Sequence, residues 1–218
     1  MKYLFALLFM GIFNIPLFAA DTKAESFWRW FQKNEGRVYS FEKDQEHVFD
    51  DLSSAMKKVD ADLTFEFGPV RSDGKREFVI SAGGIKKAFP SVEALYSSAP
   101  KMEKWVIVKF RSRRTPINDL EFSGKKIRAK DVRYLLFRDE NPQKVGVMIF
   151  LDGYTEELKA DFGQMGYLFL DEALGEYDVE MKLGAIVFQG HDSKYFDRSH
   201  PLSELPQGFD DHFGNKKE

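Results

Sequence analysis

The sequence predicts an α+β fold: an antiparallel or mixed sheet with helices packed mainly on one face, preceded by a signal peptide. Three observations carry that expectation. Apolar residues recur at helical spacing over residues 25–59 and 155–175, and they cluster with strand character over 63–82, 105–110 and 133–151. Turn residues (Ser72-Asp73-Gly74, Asn141-Pro142) divide the strand-like runs into hairpins.

Residues 1–20 have the layout that a secretory translocase reads. Lys2 is the one charge before Asp21, the stretch between is almost entirely apolar, and Ala19 and Ala20 supply the small residues of a cleavage site. The competing reading is an uncleaved anchor. Spanning hydrocarbon takes about 20 apolar residues, and Asn14 and Pro16 interrupt this run, which favours cleavage. No second run of that length follows, so no membrane span is expected after the signal, and the protein is expected in the periplasm or outside the cell. The organisation read from the sequence is a signal at 1–20, one α+β domain at 21–190 and a polar C-terminal tail at 191–218.

In chain order, a helix is expected over about 25–35, with Ser26 as cap, Gly36 as stop and Phe27, Trp30 and Phe31 on its buried face. Trp28 falls off that stripe. A second helix over 41–59 carries Phe41, Val48, Phe49, Leu52, Met56 and Val59. Leu63, Phe65 and Phe67 then alternate with Thr64 and Glu66 as a half-buried strand, and Glu77 to Ala82 returns as its hairpin partner. Pro90-Ser91 starts a short helix that runs to about Ser98, and Trp105 to Phe110 is β-branched and strand-forming. After a small hairpin around Ser123-Gly124, strands 133–138 and 144–151 pair across Asn141-Pro142. Thr155, Glu156 and Glu157 open a helix that carries Leu158, Phe162, Met165 and Phe169 and ends at Gly175. A last strand lies within 177–188, and the tail wraps the surface with at most a short helix near 205–213. No internal repeat is visible.

Composition excludes several chemistries. There is no cysteine, which removes thiol nucleophiles, redox pairs, thiolate zinc sites and iron–sulfur ligation. The formal net charge of −3 argues against a dedicated nucleic-acid binder. The 22 phenylalanines, four of them in the first 20 residues, can build a substantial aromatic core.

No catalytic constellation emerges. Gly83-Gly84 lacks the spacing of a phosphate loop and reads first as a tight turn. His47, His191, His200 and His212 form no metal motif, and no metal or cofactor is implied. Asp152, Glu156 and Glu157 stand at a strand-to-helix junction; they serve either carboxylate chemistry or the turn and the helix start.

Charge segregation is the most distinctive feature. From Lys109 to Arg133 nine basic residues stand against three acids, and from Asp152 to Glu180 nine acids stand against Lys159. Arg111, Arg113, Arg114, Lys125, Lys126 and Arg128 are therefore the candidate residues for binding an anionic partner, an envelope protein or an anionic polymer. The alternative is that the two runs neutralise one another across the fold.

Four segments (residues 27–35, 63–69, 77–84 and 170–178) span most of the chain after residue 20: FWRWFQKNE, LTFEFGP, EFVISAGG and LDEALGEYD. Together they resemble an uncharacterised bacterial domain family of conserved hypothetical proteins. The resemblance implies a single domain and carries over no catalytic residue. The leading functional expectation is a non-catalytic binding or interaction module with a basic surface. The alternatives are a hydrolase using carboxylates near Asp152 and an inhibitor or immunity-type protein.

Overall fold

The structure, a computed structural model, describes residues 22–122 and 125–214. The expected signal segment 1–20, the Ser123-Gly124 turn and the side chain of Lys125 lie outside the described residues. The architecture is α+β, with three sheets in place of one.

The first sheet holds β1 (Thr64–Val70), β2 (Arg76–Ser81) and β3 (Trp105–Lys109) in that order. β1 and β2 form the expected antiparallel hairpin, with Phe65 opposite Ile80, and Pro69 interrupts the β1 edge where the register shifts. The helix α4 (Phe89–Ser97) then crosses over, and β3 runs parallel to β2. The period-two alternation puts Phe78 and Ile80 on one face of β2, and Ala82 just past its end joins them in the core. Helices α1 (Lys23–Lys33), α2 (Glu35–Tyr39), α3 (Gln45–Lys57) and α4 all contribute to the core on that face.

Two helix expectations need correction. On α1 the buried stripe is Ala24, Phe27, Trp28 and Phe31, with Thr22 as N-cap in a capping box with Glu25. Trp28 turns inward because its indole N–H finds a buried partner, the Leu95 carbonyl at 2.8 Å. The expected helix over 41–59 is broken: a single 3-10 turn at Phe41–Lys43 ends at Asp44, and α3 begins at Gln45. Phe41 still faces the core because it packs on Phe49 and Phe67, with ring centroids 5.0 Å apart in each pair.

The small hairpin is present as β4 (Leu120–Phe122) and β5 (Lys125–Ile127). The third sheet has the order β8-β7-β6-β9, from β6 (Arg133–Arg138), β7 (Val145–Phe150), β8 (Leu183–Gln189) and β9 (His200–Pro201). β6 and β7 form the expected antiparallel pair. Helices α5 (Lys159–Leu174) and α6 (Glu176–Lys182) then cross over, and β8 runs parallel to β7. The last strand expected within 177–188 is thus β8, with the helix α6 before it. The C-terminal segment also goes further inward than its polar composition suggests. Leu202, together with Leu205 and Phe209 of α7 (Leu205–Gly214), is buried with Val145, Val147, Ile149, Met165 and Phe169 in a second core.

The chain therefore repeats a topology without repeating a sequence: a hairpin, a helical crossover and a third strand parallel to the second. The junctions match in detail. Ile85 N–H donates to the Ala82 carbonyl and Tyr154 N–H to the Leu151 carbonyl, at 3.0 and 3.2 Å, each followed by a single 3-10 turn into the crossover helix. Gly84 and Gly153 occupy the left-handed region there, at φ 79° and 76°. No helix of the described residues is long and apolar enough to cross a membrane.

Candidate functional site

The two runs of opposite charge meet where the first sheet contacts the end of α5 and the start of α6. Arg111 and Arg113, just after β3, reach carboxylates about 60 residues or more downstream. Arg111 donates through Nε to Glu66 and through Nη1 to Asp171, the latter at 3.2 Å. Arg113 donates to Asp178 at 2.9 Å, to Asp210 at 2.8 and 2.9 Å, and through Nε to the Leu174 carbonyl at 3.0 Å. Arg114 lies 3.9 Å from Glu172 and 4.0 Å from Glu66. Of the six basic candidates, these three sit at the seam. Lys126 and Arg128 are exposed near the β4–β5 hairpin, and Arg128 pairs with Asp131 at 2.5 Å.

At the centre of the seam is Glu176, with 0% of its surface exposed. Its Oε1 accepts from the amides of Ala82 at 2.9 Å and Gly84 at 3.2 Å, and its Oε2 accepts from the amide of Arg111 at 3.1 Å. The Gly83-Gly84 turn is thus both the expected tight turn and an anion cradle, and the anion is a side chain of the chain itself. Charge-assisted hydrogen bonds of this kind are the strong ones, which is how a carboxylate tolerates complete burial. The Arg111 carbonyl accepts from the Glu176 amide at 3.0 Å, so two backbone segments are tied from both sides. Gly175 has φ 81°, and a Cβ there would meet the Arg111 carbonyl at 3.2 Å, so this approach needs glycine.

Burial pushes the Asp171 carboxyl up from its ordinary 3.8 to about 7, with Glu176 and Glu180 adding to the rise; the Arg111 guanidinium pulls the other way without winning. Burial and Glu176 likewise raise Glu180. Phe110 joins β3 to the seam at φ 59°, a left-handed conformation that costs a bulky residue roughly 1–3 kcal/mol. That turn directs the Arg111 amide to Glu176 and buries the Phe110 ring against Phe89 and Tyr177, at 4.6 and 5.4 Å between centroids.

Sequence reasoning passed over Glu66, Asp171 and Glu176. A signal did exist for Asp171, which with Glu172 interrupts the otherwise apolar stretch 165–174. Glu176 looked like an ordinary acid at a helix start. Three of the four segments quoted above converge here, through Glu66, through Ala82 and Gly84, and through Asp171 and Glu176.

Two openings flank the seam. An open cleft of about 480 Å³ is lined by Lys109, Phe110, Arg113, Tyr177 and Asp178 among others. A second, of about 360 Å³, lies between Arg114–Ile117, the Ala129-Lys130 turn, and Ser203 and Pro206 of the C-terminal segment. The Asp152 junction is separate. Asp152 is exposed, His191 Nδ1 lies 3.9 Å from its Oδ1, and Tyr154 donates to Glu156 at 3.0 Å. Glu157 is held below the ordinary carboxylate range by its own backbone amide and the Thr155 hydroxyl. Among the described residues no group of three or more histidines, aspartates or glutamates is placed to hold a metal ion.

Comparison with family models, with curated proteins and with solved structures finds no match for this chain.

Proposed function

We propose that this protein is an exported, non-catalytic binding module, and that its recognition site for an anionic partner is the pocket beside Arg114 and Lys130. Export rests on the character of residues 1–20. The observation that carries the binding reading is the pocket's composition. Pro116, Ile117, Ala129 and Pro206 give apolar walls, Arg114 and Lys130 bring two positive charges, and no carboxylate is among its described lining residues. Arg111 and Arg113 are matched by carboxylates at the seam, whereas Arg114 stands 3.9 Å or more from its acids and can turn to a ligand. The pocket suits an anionic group carried on an apolar body, such as an acidic segment of an envelope protein.

Cross-linking in the native cell envelope, followed by mass spectrometry, tests this with wild type and the pair Arg114→Glu, Lys130→Glu. A discrete partner is expected with wild type, lost in the variant and weakened as salt shortens the screening length from about 8 Å towards 3 Å. A partner captured equally by both proteins, or none at all, defeats the reading. A hydrolase reading is supported by the placement of His191 beside Asp152, and it requires Asp152→Asn to abolish turnover in a substrate screen while leaving the Tm unchanged.

A further inference from the structure

The open cleft on the other side of the seam has a different chemistry. Tyr177 is 46% exposed, although its ring rests on two buried phenylalanines. It stacks on Phe89 at 5.7 Å and 26°, and it meets Phe110 at 5.4 Å. The underside of the tyrosine is therefore braced, and a flat aromatic surface is held towards the cleft before any ligand arrives. The left-handed backbone of Phe110 puts one of those braces in place.

The charges around the platform are already matched. Lys109 Nζ donates to both oxygens of Glu93 at 2.8 Å, and Arg113 donates to Asp178 at 2.9 Å. An anion entering here would have to compete with those carboxylates. A neutral ligand that both donates and accepts would not, because carboxylate lone pairs and ammonium protons stay available on the same side chains. Lys109 and Glu93 are each roughly two-fifths exposed, and a second exposed tyrosine, Tyr96, flanks them with its ring centroid 5.4 Å from Lys109 Nζ.

A rigid aromatic face beside donors and acceptors already held in ion pairs is complementary to a pyranose ring, whose apolar C–H face stacks while its hydroxyls bond at the edge. We infer that the Tyr177 cleft is a binding site for a neutral oligosaccharide, distinct from the anion pocket at Arg114.

The test is saturation-transfer NMR and calorimetry on the full protein with neutral oligosaccharides, chitotetraose and maltotetraose among them, and with tetragalacturonate as an anionic counterpart. A neutral oligosaccharide is expected to bind, with saturation concentrated on its ring C–H protons. Its affinity should change less than about twofold between roughly 50 and 500 mM salt. Tyr177→Ala should weaken binding about tenfold or more, whereas Tyr177→Phe, which keeps the braced face, should stay within about threefold. Tyr167→Ala, which alters an exposed tyrosine away from the cleft, should have no effect. Failure of every neutral sugar to bind overturns the inference. So does undiminished binding by folded Tyr177→Ala, or a preference for tetragalacturonate that fades with salt.

Discussion

Asp171→Asn should flatten the pH dependence of stability. Asp171 lies on the last turns of α5, and its burial beside Glu176 and Glu180 raises its carboxyl from 3.8 to about 7 despite Arg111 at 3.2 Å. Between those values the folded chain holds a proton that the unfolded chain has released. The group's stabilising contribution is therefore greatest below 3.8 and is lost as pH rises through about 7. At about 1.4 kcal/mol per pH unit of displacement, its share of the loss between pH 5 and pH 8 is about 2.5 kcal/mol. Urea unfolding of wild type and Asp171→Asn at several pH values in that window measures it. The variant should retain the contributions of other groups, so the two stability curves should converge or cross towards high pH. Parallel curves would refute the reasoning, since they would mean that Asp171 titrates alike in the folded and unfolded chain.

Three further outcomes follow from particular contacts. Glu176→Ala leaves the amides of Ala82, Gly84 and Arg111 without their acceptor and should cost roughly 3–5 kcal/mol in urea unfolding, with Glu176→Gln less harmful because one acceptor oxygen survives. Gly166→Ala would set a Cβ 2.1 Å from the Phe188 ring, and the resulting displacement should cost about 1–3 kcal/mol, read as a lowered Tm. The hydrogen bond that the His47 imidazole donates to the Asp44 carboxylate raises the His47 pKa above its ordinary 6.5, so Asp44→Asn should bring the NMR titration midpoint of that imidazole back down.

Much of the fold was legible because period and turn chemistry agree locally. The hairpins at 64–81 and 133–150, the crossover helix with Pro90 in its first turn and the α5 start after Thr155 all follow from nearest neighbours in sequence. The strand expected within 177–188 is β8, but where in that range it starts was hidden for a definite reason. Val179 enters the second core while Met181 packs against the first, so a helix buried on two sides imitates strand alternation. The break at Asp44 was hidden because Phe41 and Phe49 serve the same aromatic cluster from both sides of it. The seam was legible only as two runs of opposite charge. Which carboxylate meets which guanidinium is set by the crossover of α5 and α6, and local pattern carries no information about it.

The Glu176 cradle also joins parts of the chain that are far apart in sequence. The buried residues of the first core all lie before residue 111, so the first sheet and its helices can collapse before the rest of the chain is in place. Its Ala82, Gly84 and Arg111 amides are completed by a carboxylate that lies 65 to 94 residues further along the chain. Glu176 arrives there tethered, at a high effective concentration that free carboxylates do not match.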